Sequence, residues 1–184
     1  MAEYRLFSRG DEGTGRRRRS PYMTAAALAI VLFLVVAPEV NEGPAMDPTI
    51  KDGQVLVTSK LTHYSIKRKV PEQGKLVILD KVLSLEAADD NIIARVIATD
   101  GDHVVIQDGI VTVNDEEYVA PGGIRGAEGE VDVTLTGNEV FLLCDNREEM
   151  LDSRDPKLGV VDMRKIKGNV LLRIWPLSKF GKVK

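Results

Sequence analysis

The sequence is poor in the residues that build disulfide frameworks and metal centres. It contains one cysteine, Cys144, which excludes an internal disulfide framework and any multi-cysteine zinc or iron–sulfur site. The two histidines, His63 and His103, leave little for a histidine-based metal centre. We therefore expect neither a metal ion nor a cofactor.

The sequence also lacks compositional bias and a large excess of charge. Glycine (16 residues) and proline (8 residues) are near average use, which excludes collagen-like and low-complexity proteins. Hydrophobic residues make up 43% and charged residues 29%, so wholesale disorder is excluded as well. The net charge of −3 argues against an indiscriminate nucleic-acid binder. A length of 184 residues suits one domain of ordinary size.

One long segment near the N-terminus carries no charge. It runs from residue 20 to residue 38 and follows the basic cluster Arg16–Arg19. As a helix it would be about 28 Å long, close to the ~30 Å hydrocarbon core of a bilayer. The positive-inside rule places the preceding arginines in the cytoplasm. We predict a cytoplasmic basic tail (1–20), a transmembrane signal anchor (21–38) and an extracytoplasmic domain (39–184), in a single-pass protein of the cell membrane.

Two other interpretations of this segment remain open, a buried core helix and a cleaved signal peptide. Val35, Val36 and Ala37 resemble the small-residue end of a signal peptide. Pro38 would then follow the cut directly, and a rigid residue without an N–H group fits an extended binding groove poorly. We favour an uncleaved anchor. A lone cysteine also suits the oxidising space outside a cell, since it has no partner to pair with.

From Val40 onward, short apolar runs alternate with turn residues, and most of the runs are dominated by β-branched side chains. The predicted strands are Gln54–Thr58, Lys75–Leu79, Ile92–Ala98, His103–Ile106, Ile110–Val113, Val131–Leu135, Glu139–Leu143 and Val170–Trp175. Asp108-Gly109 between two of them is a strong hairpin signal. The pattern predicts a mainly β fold of sheets or barrel type. The basic run His63–Lys69 is expected to be a solvated face.

Three stretches carry the functional signal: Gly43–Thr49, Ala94–Asp102 and Cys144–Arg154. In this order they resemble the Ser-Met-x-Pro-Thr, Lys-Arg-Val-Ile-Gly-x-x-Gly-Asp and Gly-Asp-Asn-Arg-x-x-Ser-x-Asp-Ser-Arg boxes of bacterial signal peptidase I. Gly74–Ile78 and Arg173–Leu177 are similar to further segments of that family. The resemblance implies an ectodomain of several short antiparallel sheets behind one transmembrane helix, and a membrane-anchored serine peptidase with a Ser/Lys dyad.

The differences from the family fall on the chemistry that the resemblance implies. Ala45 stands where the family has its nucleophilic serine, Ala94 where it has the lysine base, and Met150 where it has the serine that orients the lysine. The framework positions are retained: Arg95, Asp145, Asn146, Arg147, Asp152, Ser153 and Arg154. The family pattern implies ion pairs of Arg95 with Asp145 and of Asp152 with Arg154. We also expect Met150 to fill the apolar space left by the missing lysine.

Alanine offers neither a nucleophile nor a titratable nitrogen. We therefore predict a pseudoenzyme, a member of the signal peptidase I family that is not an enzyme. Two substitute nucleophiles are conceivable, Cys144 and Ser153 with Lys165 or Lys167. For Cys144 we favour a structural interpretation, as a small buried residue at the end of a strand, and for Ser153 the structural role that the family gives this position.

The resemblance also suggests a biological setting. Similar degenerate members accompany pilus gene clusters in Gram-positive bacteria, where they assist pilin polymerisation by a sortase. We expect an extracytoplasmic accessory, chaperone or docking factor whose partners are the membrane, an exported protein such as a pilin subunit, and a sortase, with no nucleic acid. The alternatives are a signal peptidase I whose catalytic residues have been replaced in this chain, and a self-cleaving repressor-type relative.

Overall fold

The computed structural model of the chain describes residues 21–60, 70–79 and 91–183. The predicted tail 1–20 and the basic run His63–Lys69 lie outside these ranges. The helical elements are α1 (Pro21–Val35) and the 3-10 turns η1 (Met163–Lys165) and η2 (Leu177–Lys179). The strands are β1 (Val36–Val40), β2 (Val55–Ser59), β3 (Leu76–Leu79), β4 (Ile92–Thr99), β5 (His103–Gln107), β6 (Ile110–Val113), β7 (Glu116–Glu117), β8 (Val131–Thr134), β9 (Glu139–Leu143), β10 (Val161–Asp162) and β11 (Ile166–Trp175).

The strands form two antiparallel sheets. The larger has seven strands in the order β1-β2-β11-β3-β4-β9-β10, and the smaller has four in the order β7-β6-β5-β8. All of β3 and nearly all of β4 are buried, because apolar clusters cover both faces of the larger sheet at its centre. Ala94 belongs to one of these clusters, with Val77 and Leu142, while Ile93 belongs to another, with Met46.

The mainly β fold is confirmed, and each of the eight predicted strands is present within a few residues of its expected bounds. The Asp108-Gly109 hairpin is confirmed as well: both residues have positive φ (52° and 76°), as the two central residues of a type I′ turn require. The prediction for β11 was too short because it began at Val170. The strand starts at Ile166, and its Gly168 lies where an added Cβ would be 2.4 Å from the carbonyl oxygen of Ser59.

The sequence pattern missed three strands. Two of them, β7 and β10, have only two residues each, too few for any alternation to appear. The third, β1, overlaps the predicted membrane span of 21–38 at residues 36–38. Helix α1 ends at Val35, and Val36–Val40 pair with β2 instead. An edge strand tolerates Pro38. Pairing with β2 therefore extends the sheet over Val36–Val40 in place of a longer helix.

Helix α1 has 15 residues, a length of about 22 Å. Among the residues described by the structure, no helix is both long enough and apolar enough to span a membrane.

Candidate active site

The structure joins the first and third motifs through backbone contacts. The backbone N–H of Asn146 donates to the carbonyl oxygen of Ala45 at 3.0 Å, and its side-chain amide donates to the carbonyl oxygen of Pro44 at 3.3 Å. Asn146 thus holds the loop that contains Ala45 against the third motif, although the two segments are 101 residues apart in sequence.

The second and third motifs are joined by a buried ion pair. Arg95 donates to both carboxylate oxygens of Asp145, with Nε–Oδ1 at 2.7 Å and Nη2–Oδ2 at 2.5 Å. The two side chains are 1% and 0% exposed. Nη1 of Arg95 also donates to the carbonyl oxygen of Gly74 at 2.6 Å. One guanidinium therefore connects the second motif, the third motif and the segment before β3.

The second ion pair organises the interior of the third motif. Asp152 accepts from the backbone N–H of Cys144 at 2.9 Å and from Nε of Arg154 at 2.9 Å. Arg154 also donates to the carbonyl oxygen of Arg147 at 2.8 Å and to that of Glu149. The Ser153 hydroxyl accepts from the backbone N–H of Leu142 at 3.0 Å. Both ion pairs implied by the family pattern are present in the structure.

The structure gives Ala45, Ala94 and Met150 different environments. Ala94 is fully buried in β4 opposite Val77, and Ala45 is half-buried in its loop. Met150 is 46% exposed, so the prediction that it fills the space left by the lysine is wrong. Leu151 packs against the cluster that contains Ala94 instead. Successive residues of an extended segment point in opposite directions, and the tertiary fold decides which of the two faces the core.

Neither substitute nucleophile is activated in the structure. Burial raises the pKa of the Cys144 thiol far above its usual range, and the Asp152 carboxylate raises it further, so the thiol stays protonated at neutral pH. The Ser153 hydroxyl is used as an acceptor by the backbone, and the ammonium of Lys167 binds the side chain of Asn91 at 3.1 Å. Cys144 is a buried residue directly after β9, as the structural interpretation predicts. Over the described ranges, no cluster of three or more His, Cys, Asp or Glu side chains is placed to bind a metal.

Tyr118 and Arg147 lie near the ion pair of Arg95 and Asp145. The sequence motifs did not predict that Tyr118 belongs to this region. Nε and Nη1 of Arg147 and the hydroxyl of Tyr118 are buried without a hydrogen-bond partner. Burial raises the pKa of Tyr118, an effect that the nearby charges of Arg95 and Arg147 oppose. Burial also lowers the pKa of Arg147. Tyr118 belongs to no motif, so no sequence signal pointed to it.

Replacing Tyr118 by phenylalanine is expected to raise the free energy of unfolding by about 1 kcal/mol. A buried hydroxyl without a partner carries a desolvation cost that phenylalanine does not. Chemical denaturation of the full chain measures the change. Tyr22→Phe is the matched control, because Tyr22 is 84% exposed and should leave stability unchanged. A loss of stability in Tyr118→Phe alone would show that the hydroxyl is satisfied in solution, for example by a bound water.

The comparisons with known proteins agree with the motifs. A family model described as "Signal peptidase, peptidase S26" matches residues 19–175. Signal peptidase I of Bacillus caldolyticus is 29% identical over 182 residues, which cover 90% of this chain and 94% of the relative. The probable signal peptidase I-2 of Synechocystis is 31% identical over 169 residues, 86% of this chain and 72% of the relative. The crystal structure of a signal peptidase I from Enterococcus faecalis V583 is 18% identical, has a TM-score of 0.44, and corresponds to 57% of this chain and 98% of that one.

These relatives correct the prediction that the chain is not an enzyme. The proteins that it matches over most of their length are named as signal peptidases, and the matching family model is that of a peptidase. The prediction rested on two positions alone, Ala45 and Ala94, while the match to these peptidases extends over most of the chain. The prediction of a pseudoenzyme is therefore withdrawn.

Proposed function

The chain belongs to the signal peptidase, peptidase S26 family, and we propose that its main domain docks an extended segment of an exported protein. Docking takes place where the extracytoplasmic face of the cell membrane meets water. The expected partners are an exported subunit such as a pilin and a sortase that acts on the same subunit, with this protein as accessory or chaperone. The observation that carries the docking proposal is the edge strand β1, which leads directly into the loop of Ala45.

The outer edge of β1 has backbone groups available for a further strand. The backbone N–H of Lys60 donates to Val35, and that of Asn41 donates to Gln54. Residues 35 and 41 therefore point their backbone groups toward β2. Because these groups alternate in direction along an antiparallel strand, residues 37 and 39 also face β2, and residues 36, 38 and 40 face outward. Within the described ranges no strand pairs with that outer edge.

Proline at position 38 defines what the edge can offer. Pro38 has no N–H group, but its backbone groups face away from β2. The β1–β2 pairing therefore loses no hydrogen bond. An added strand finds the N–H groups of Val36 and Val40 and the carbonyl oxygens of all three outward residues. This spacing suits a short extended peptide bound with its hydrogen bonds on either side of Pro38.

The same strand connects helix α1, the proposed membrane anchor, to the loop that contains Ala45. Helix α1 passes directly into β1 at Val35 and Val36, and Ala45 follows β1 after a loop of four residues. The uncharged run 20–38 and the basic cluster before it support a single-pass anchor with the domain outside. A segment emerging from the membrane beside α1 would then run along β1 toward Ala45, which suits the region around a signal-peptide junction.

Replacing Val40 by proline is expected to weaken peptide binding about three- to tenfold, because it removes one outward N–H group that would bond to the ligand. The β1–β2 ladder keeps its hydrogen bonds, since the N–H of Val40 does not face β2. Glu39 already has the extended conformation that a following proline requires. Val40→Thr is the control, since it changes the side chain and keeps the N–H. The measurement is a titration of the full chain in detergent micelles with a labelled peptide that spans the signal-peptide junction of an exported precursor.

The same samples are analysed by mass spectrometry for peptide cleavage. Cleavage at a defined bond would show that the docked segment is also a substrate, as the names of the relatives suggest. Equal affinities for Val40→Pro, Val40→Thr and the native chain would refute docking at β1. Absence of binding by a natively folded chain to both a precursor peptide and a purified pilin subunit would refute the proposed function.

A further inference from the structure

A small cavity lies on the side of the domain where the C-terminal segment meets the first motif. Its volume is about 270 Å³. The walls come from Pro48 and Thr49 at the end of the first motif, from the loop after β7, and from the C-terminal segment. Arg173 and Lys182 are the two charged residues in its lining, and no acidic residue lines it.

The C-terminal segment is fixed against β11, which places Lys182 at the cavity. Arg173 and Gly181 exchange two backbone hydrogen bonds, of 2.8 and 3.1 Å. Val183 packs against the cluster that contains Met46 and Ile50. Lys182 lies between these two attachment points, so the position of its Cα is set by the fold.

The two cations in the wall have no counter-charge. Arg173 donates to the carbonyl oxygens of Thr49 and Lys179 and to the side-chain oxygen of Gln54, at 2.9 to 3.0 Å, and all three acceptors are neutral. Across the described part of the chain, no carboxylate forms a salt bridge with Arg173 or Lys182, and the ammonium of Lys182 makes no hydrogen bond. Such an arrangement in a concave site attracts an anion.

We propose that this cavity binds the phosphate group of a small organic anion. A phosphate group accepts hydrogen bonds from a guanidinium and an ammonium at once. The apolar walls formed by Pro121, Ile124 and Val183 leave room for the carbon portion of a ligand such as a glycerol phosphate. The lining of the cavity includes no residue of β1.

The surroundings of the cavity favour a lipid headgroup over a free metabolite as the source of the phosphate. Arg173 holds the end of η2 through the carbonyl oxygen of Lys179. The nearby apolar side chains Trp175, Leu177 and Phe180 are 55%, 71% and 64% exposed. Aromatic and aliphatic side chains beside a phosphate site suit the boundary between headgroups and acyl chains.

The test compares Lys182→Gln with Lys179→Gln. Both variants remove one positive charge from the same C-terminal segment, but only Lys182 lines the cavity. Arg173 is left in place because it also holds Thr49 and Gln54. Binding of the full chain in neutral detergent to sn-glycerol 3-phosphate and to inorganic phosphate is measured by titration calorimetry. Capture by nanodiscs of pure phosphatidylcholine, or of phosphatidylcholine with phosphatidylglycerol, is measured in parallel.

We expect Lys182→Gln to weaken binding of the phosphate ligand about tenfold, the loss typical of one charged hydrogen bond, and Lys179→Gln to have little effect. If Lys182→Gln weakens capture by nanodiscs that contain phosphatidylglycerol more than Lys179→Gln does, and glycerol phosphate does not bind, the phosphate belongs to a lipid. If Lys182→Gln instead weakens binding of glycerol phosphate, and the native chain binds both kinds of nanodisc equally, the phosphate belongs to a soluble ligand. Equal effects of the two variants, or no binding of any phosphate probe by the native chain, would overturn the proposal.

Discussion

Replacing Asp145 by alanine is expected to destabilise the folded chain by about 3–5 kcal/mol. The change leaves the guanidinium of Arg95, which is 1% exposed, buried without its carboxylate. Removing one partner of a buried pair has this large effect because the remaining charge cannot recover its hydration. Arg95 also holds Gly74 through a hydrogen bond, so the disturbance reaches the start of β3. Urea denaturation followed by circular dichroism measures the change.

Asp132→Ala is the matched control for this substitution. Asp132 also contacts a basic side chain, His103, at 2.8 Å, but it is 80% exposed, and exposed pairs contribute little. A double variant, Arg95→Met with Asp145→Leu, removes both charges and should regain much of the lost stability. If Asp145→Ala were no more harmful than Asp132→Ala, the buried pair would not be what holds the second and third motifs together.

The native thiol of Cys144 is expected to react with a thiol reagent at pH 8 at least about 10³-fold more slowly than an exposed cysteine. Burial raises the pKa of this thiol well above its usual range, and each unit of increase lowers the reactive thiolate fraction tenfold. Burial also excludes the reagent, since the side chain is 0% exposed. We expect the Cys144 thiol to react with the reagent only when the chain unfolds globally.

The reaction rate is measured with a chromogenic disulfide reagent in native buffer and in denaturant. The control carries Ser178→Cys in a Cys144→Ala background, because position 178 is exposed and reports an accessible thiol in the same protein. Fast modification of native Cys144, at the rate of the control, would reopen its candidacy as a nucleophile.

The raised pKa of Cys144 also predicts the direction of a pH dependence. The folded chain keeps the thiol proton at a pH where the unfolded chain releases it. This contribution to stability is complete below the unfolded pKa of about 8.5 and is lost as the pH rises above that value. The slope reaches at most about 1.4 kcal/mol per pH unit. The free energy of unfolding of Cys144→Ala should therefore fall less between pH 8 and pH 10 than that of the native chain.

Local sequence determined much of the fold and the positions of the motifs. Runs of β-branched residues predicted eight strands, and Asp108-Gly109 predicted a hairpin whose two positive φ angles the structure contains. Such signals act over a few residues, so they can be recognised without the tertiary structure. The three motifs, which are also local patterns, identified the family and the two ion pairs.

Only the tertiary structure decided which groups meet and which face solvent. Residues 36–38 read as the end of an apolar helix, yet they belong to the edge strand Val36–Val40 because β2 is available to pair with it. Leu151 rather than Met150 contacts the core, and the cavity beside the first motif brings Thr49 together with Arg173 and Lys182 of the C-terminal segment. Burial and the pairing of charges depend on contacts between residues far apart in sequence. Local periodicity carries no information about those contacts.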